Sequence, residues 1–245
     1  MRAETIHLRG FNDDAIEAYL AQPTGDERVG GVVVIHHMPG YDESTKEITR
    51  RFAAHGYNAI CVNLYSREAP GASSDDAAAA ARASGGVPDE RLLGDVSAAA
   101  GYLRSLPNAN ARVGVIGYCS GGRQSLLSAC SLDFDAAVDC YGAFVLVAPP
   151  SSYPLARTTL QGVLANLSCP LLGLFGADDE YPTTDEVEAL RTLLTEHGKD
   201  FEFHTYEGAG HAFFNVDRPS YRPDVAREAW DEVWKFFGAH LNSTH

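Results

Sequence analysis

Apolar and polar positions along this chain keep two alternating rhythms. "GGVVVIHH", "YNAICVNL", "ARVGVIGY", "FDAAVDCYG" and "PLLGLFG" are short runs of nearly continuous apolar residues, rich in Val and Ile, and "FEFHTY" is a sixth strand-like stretch. Runs of this kind are the mark of strands buried on both faces. Between them the apolar positions fall three and four apart, as on one face of a helix. From Asp89 the stripe is Leu92, Leu93, Val96, Ala100 and Leu103. Ser44-x-x-Glu47 and Thr183-x-x-Glu186 read as capping boxes, opening helices that stop at Gly56 and Gly198. Helices are also predicted over Ser120–Cys130 and from Pro223 to His240, with a short one over Leu155–Leu167. Near the N-terminus "TIHL" and "AIEAYLA" (Ala15–Ala21) alternate with period two, which predicts an antiparallel edge hairpin. The stretch from Tyr65 to Gly86, rich in Ala, Ser, Asp and Gly, reads as a loop passing into a weak alanine helix and is the expected lid or variable wall.

Strands alternating with helices imply an α/β fold: a mainly parallel central sheet with helices on both faces and an N-terminal antiparallel hairpin. No linker or internal repeat divides residues 1–245, so one domain is expected. A net charge of −14 without any Lys/Arg cluster excludes nucleic acid and anionic membrane as partners. The longest apolar run, around Val32–Ile35, is too short to cross a bilayer, and "MRAETIHLRGFNDD" lacks the apolar core of a secretory signal. The cysteines Cys61, Cys119, Cys130, Cys140 and Cys169 are scattered and odd in number, the usage of reduced thiols. The sequons at Asn166 and Asn242 then read as chance matches. The expectation is a cytoplasmic protein, a monomer or small homo-oligomer.

The chemistry centres on "GVIGYCSGG". Gly117-Tyr118-Cys119-Ser120-Gly121 lies between a predicted strand and a predicted helix, the setting of a nucleophile elbow, in which small neighbours let the backbone cross closely and lift the side chain to the sheet edge. The helix N-terminus then faces the sulfur and, with a nearby imidazolium, lowers its pKa. Alone, the pattern equally describes a tight turn holding an inert buried thiol. Its partners follow in chain order: "LFGADDEYP" supplies Asp178 and Asp179, and "YEGAGHAFF" supplies His211. Asp179, three residues beyond Gly176, is the expected acid behind the histidine, with Asp178 capping the loop. Each residue taken singly is an ordinary turn acid or loop histidine; together they read as Cys119–His211–Asp179. The amides of Ser120 and Met38 are the expected oxyanion donors. Adjacent His36 and His37 would point to opposite faces of a strand and have no third ligand at compatible spacing, so no metal site is expected.

"NLYSREAPG", "GVIGYCSGG", "CYGAF", "LFGADDEYP" and "GAGHAF", in this order and spacing over most of the chain, resemble the dienelactone hydrolase family within the α/β-hydrolase superfamily. The resemblance implies an α/β-hydrolase fold and a Cys119–His211–Asp179 triad that cleaves a small-molecule ester or lactone through a covalent thioester, with no metal or organic cofactor. Two departures touch the substrate. His37 stands where the family carries a glutamate near the resting thiol, placed either to bond the thiol or to line the pocket. Asn215 stands where an arginine would grip the substrate's carboxylate, and Arg82 is a weak counterpart for a second family arginine. An amide does not replace a bidentate arginine–carboxylate pair, which points to a lactone or ester less acidic than dienelactone. Tyr41, Tyr65, Tyr118 and Tyr141, at or near strand ends, suit a pocket wall for a flat ring and equally suit core packing. Arg123, inside the helix after the elbow, reads as a structural ion pair. Beside the hydrolase stand two other readings, a non-catalytic ligand-binding or thiol-sensing protein and an acyltransferase; a base and an acid in chain order favour the enzyme.

Overall fold

The computed structural model describes residues 1–25, 27–153, 155 and 157–242. The apolar runs become β3 (Val29–Ile35), β4 (Asn58–Val62), β5 (Ala109–Tyr118), β6 (Ala136–Cys140) and β7 (Leu171–Gly176), each almost wholly buried beyond its first residues. β1 (Arg2–Arg9) and β2 (Ala15–Gln22) form the expected antiparallel hairpin, and β8 (Phe201–Tyr206) closes the other edge half exposed. The sheet order is β1-β2-β4-β3-β5-β6-β7-β8. β1–β2 and β2–β4 pair antiparallel, and every pair from β4 to β8 is parallel.

Six helices cover the sheet: α1 (Glu43–Ala54), α2 (Ser74–Ala83), α3 (Asp89–Ser105), α4 (Ser120–Ser131), α5 (Thr184–Glu196) and α6 (Pro223–Leu241). Helices α1 and α6 bury Phe52, Trp230, Val233, Phe237 and Leu241 against one face of the sheet. α3, α4 and α5 bury Leu92, Val96, Leu126, Leu190 and Leu194 against the other. Full burial of side chains this large contributes about 1.5–3 kcal/mol apiece, which is why amphipathic stretches of modest propensity hold as helices here. Among the described residues no helix is long and apolar enough to cross a membrane.

Three expectations are corrected. The cap of α1 is Asp42, whose side chain accepts from the Thr45 amide, so Ser44 already lies inside the helix. The capping box at Thr183 does form, with Glu186 bonding back to the Thr183 amide. Of Leu155–Leu167, Ala156 lies outside the described residues, and the described remainder holds a single 3₁₀ turn at Leu164–Asn166 in an otherwise irregular segment. The Tyr65–Gly86 stretch is not a lid: Ala77, Ala78 and Ala81 of α2 pack into the core, small side chains letting the helix lie close. Ser243 and Thr244 of the Asn242 sequon lie outside the described residues. Because the strands from β3 to β8 run in parallel, their C-terminal ends deliver Met38, Cys119, Asp179 and His211 to one edge of the sheet.

Candidate active site

Cys119 follows the last residue of β5 and sits at the cap position of α4, with φ 58° and ψ −121°. A non-glycine residue there carries about 1–3 kcal/mol of strain, kept only where the surroundings enforce it. The enforcement is visible on both sides. A Cβ on Gly117 would stand 1.8 Å from the Gly121 carbonyl oxygen, and one on Gly121 would stand 2.4 Å from that of Ile35, so only glycine permits this crossing. The Cys119 amide donates to Cys140 O at 3.0 Å, and Gly122 N donates to Cys119 O at 2.9 Å.

His211 lies in the loop after β8 and donates from Nδ1 to Asp179 Oδ2 at 2.9 Å. Asp179 is buried and its Oδ1 accepts from the Tyr181 amide at 2.9 Å, which fixes the carboxylate plane. With Nδ1 committed, Nε2 is left for the sulfur of Cys119, which borders the same cavity. Asp178 is exposed; its amide donates to Ala209 O at 2.9 Å.

The sulfur is half-buried, and burial alone would push the thiol up. The hydrogen bond and charge of His211, with the amides of Ser120 and Met38 donating to Sγ, outweigh burial and hold Cys119 below its ordinary value. Burial would likewise lower His211, but bonds to Asp179 and to the sulfur raise it to about 10. The pair therefore favours thiolate and imidazolium together. Two amides and one imidazole thus converge on one sulfur.

The Met38 loop is pinned. His36 donates from Nδ1 to His37 O at 2.8 Å and accepts at Nε2 from Leu64 N at 3.2 Å, while burial keeps it neutral, with a pKa near about 4. Tyr65 donates its hydroxyl to Met38 O at 3.0 Å, and His37 Nε2 lies 2.6 Å from Asp42 Oδ2.

A cavity of about 490 Å³ opens over the sulfur. Its apolar walls are Met38, Ala143, Phe144, Tyr153, Leu155 and Tyr181. The Phe144 ring stands 4.6 Å from that of Tyr153 and 5.4 Å from that of Tyr181. Arg123 and Arg157 are its cations, and Asp178 and Glu180 flank its exposed side. Arg123 is engaged as expected, its guanidinium bonding Asp89 at 3.1 and 3.2 Å and Thr158 O at 2.7 Å.

The family model described as "Dienelactone hydrolase family" matches residues 16–241. The chain belongs to the dienelactone hydrolase family. A relative in Methylorubrum extorquens, provisionally named carboxymethylenebutenolidase, is 30% identical over 93% of this chain and 78% of its own length. Another in Bradyrhizobium, provisionally named 2-oxo-3-(5-oxofuran-2-ylidene)propanoate lactonase, is 29% identical over 98% of each chain. The crystal structure of a provisionally named dienelactone hydrolase from Klebsiella pneumoniae superposes with a TM-score of 0.86 at 26% identity, over 98% of this chain and 99% of that one. This dienelactone hydrolase family member is an ester or lactone hydrolase with the α/β-hydrolase fold, and the reading as a non-catalytic binding or sensing protein gives way.

The expected pocket wall is corrected by the geometry: His37, Tyr41, Tyr65, Tyr118, Tyr141 and Asn215 do not line the cavity over the sulfur. Tyr118 precedes Cys119, and successive strand side chains take opposite faces, so its ring joins the α6-side core with Tyr141 and Tyr41. His37 and Asn215 meet around a separate void of about 20 Å³. Tyr41 and Tyr65 border a polar cavity beside the β1–β2 hairpin that does not reach Cys119. Arg82, in the last turn of α2, is also absent from the cavity wall. Four of the six apolar wall residues are instead Ala143, Phe144, Tyr153 and Leu155, in a segment without periodicity in the sequence. Tyr181 alone had a signal, its place two residues beyond Asp179.

Proposed function

We propose that this family member opens its ester or lactone by nucleophilic catalysis at Cys119. The thiolate attacks the carbonyl carbon, and the carbonyl oxygen takes up the charge as an oxyanion held by the amides of Ser120 and Met38. Collapse expels the alkoxide, which takes its proton from the His211 imidazolium; in a lactone that alcohol stays tethered to the acyl chain. His211, now neutral and oriented by Asp179, removes a proton from water, which attacks the thioester, releases the acid and restores the thiolate. The observation that carries this reading is that Cys119, Ser120, Met38 and the Asp179-bonded His211 border one cavity.

The substrate body would lie between Phe144, Tyr153 and Tyr181, with an acidic end toward Arg157, which enters from a segment outside the family's arginine positions. The name of the Bradyrhizobium relative describes a lactone carrying a carboxylate. That supports an anionic substrate here despite Asn215.

The test is turnover of 4-nitrophenyl acetate and of an enol lactone by the wild type and by Cys119→Ala. Loss of turnover, together with an acyl adduct on Cys119 in mass spectra of the quenched wild-type reaction, is expected. Equal rates in the two proteins would remove Cys119 from the reaction.

A further inference from the structure

Asp139 is the charged residue of β6, a strand buried at all of its positions, and is 1% exposed. Its neighbours across the sheet are Gly117 on β5 and Gly173 on β7, so neither flank sets a side chain against it. Oδ1 accepts from the Gly142 amide at 2.8 Å, and Oδ2 is buried with no hydrogen-bond partner among the described residues. A buried acid left half-satisfied in an apolar strand calls for an explanation.

Its surroundings interlock. A Cβ on Gly122, in the first turn of α4, would stand 2.4 Å from Asp139 Oδ1. A Cβ on Gly142 would stand 2.4 Å from the same oxygen and 2.3 Å from the Arg123 amide nitrogen. The turn that Gly142 occupies is strained, with Tyr141 at φ 46° and Phe144 at φ 62°. This turn also touches the reacting groups. Tyr141 packs edge-on against the His211 ring at 5.1 Å, and Ala143 and Phe144 line the cavity over the sulfur.

We propose that Asp139 is a positioning residue: tied to the Gly142 amide and wedged against the first turn of α4, it holds the strained 141–144 turn against the nucleophile's elbow. It thereby sets where His211 and the Phe144 wall stand relative to Cys119, a role that rests on the thiol chemistry proposed above. The uncharged carboxyl fills this place. Burial pushes Asp139 up to about 7, and among the described residues no cation offsets it. β5 and β7 present Gly117 and Gly173, α4 presents Gly122 while Arg123 turns its guanidinium to Asp89, and Tyr141 and Cys140 are the titratable neighbours on its own turn and strand. Burial and then Asp139 itself push the Cys140 thiol up, so it stays neutral.

The experiment compares wild type, Asp139→Asn and Asp139→Ala from pH 6 to 9, by kcat/KM on 4-nitrophenyl acetate and by the rate of Cys119 alkylation with iodoacetamide. Asp139→Ala loses the tie and should lower both rates by tenfold or more, since a displacement of about 1 Å at a reacting group can cost about a hundredfold. Asp139→Asn keeps a carbonyl oxygen for Gly142 and should recover most of that loss. It should also lack the fall in both rates that ionisation of Asp139 imposes on the wild type through about pH 7. Alanine reacting like the wild type, or asparagine no better than alanine, overturns the proposal. If the alanine variant does not fold, matching pH profiles for wild type and asparagine overturn it. A wild type that alkylates but turns over no ester refutes the hydrolytic role of Cys119, and the alkylation rates still decide that of Asp139.

Discussion

Replacing Asp139 by asparagine should reverse its effect on stability between acid and alkaline solution. In the native protein burial raises this carboxyl from 3.8 to about 7. A raised carboxyl contributes its full stability below pH 3.8, loses it progressively as pH climbs, and has lost it above about pH 7. At about 1.4 kcal/mol per unit, those three or so units amount to roughly 4 kcal/mol that the wild type forfeits on passing from pH 4 to pH 8 and the asparagine protein does not. Against this, the asparagine NH₂ brings two donors to the place where the neutral acid's hydroxyl brings one, leaving a further buried donor unpaired at a cost of about 1–3 kcal/mol. The variant should therefore be the less stable protein near pH 4 and the more stable one near pH 8. The other shifted groups, His36, Asp42 and His211, titrate in both proteins and cancel in the difference. Urea unfolding at several pH values, followed by the fluorescence of Trp230 and Trp234 on α6, measures it. A stability difference that stays constant from pH 4 to 8 would show that Asp139 is ionised throughout, and would refute the reasoning.

Four further outcomes are expected. Asp179→Asn should lower kcat by about 10²–10⁴-fold with little change in KM, because the imidazole loses the acceptor that fixes its tautomer. His211→Ala should move half-maximal Cys119 alkylation to higher pH, since burial then acts on the thiol without its main opposing partner. Arg157→Ala should reduce kcat/KM for esters bearing a carboxylate by roughly tenfold or more while sparing neutral ones, in line with about 1.5–3 kcal/mol for a charged hydrogen bond; equal losses on both would remove Arg157 from recognition. Tyr65→Phe removes the donor to Met38 O and, by loosening the oxyanion loop, should lower kcat several-fold at a stability loss of about 1 kcal/mol.

The sheet was legible because strands buried on both faces cannot alternate; "VVVI" and "LLGLF" announce themselves by lacking polar positions. The elbow was legible for a steric reason, glycine where a Cβ would meet backbone, and the order of Cys119, Asp179 and His211 narrowed their relation. Local patterns misled where two readings share one motif. Ser44-x-x-Glu47 satisfies a capping box, yet the chain turns helical at Glu43 because Asp42 reaches the Thr45 amide first. Four tyrosines near strand ends drew attention by position, but the pleat decides the face and their rings fell to the core or to another cavity. Phe144, Tyr153 and Arg157 left no trace because no repeating contact imposes a period on the chain between β6 and β7. Asp139 was hidden inside an apolar run, and its surroundings exist only once three strands and a helix have met.

Met38, Cys119, Asp179 and His211 follow the ends of β3, β5, β7 and β8, whereas four of the six apolar residues that wall the cavity, Ala143, Phe144, Tyr153 and Leu155, come from the single stretch that links β6 to β7. On the mechanism proposed above, chemistry and taste are inherited through different parts of the chain. Exchanging that one segment between relatives should transplant preference while leaving the bond-breaking apparatus where it stands, a division of labour that lets one scaffold serve many molecules.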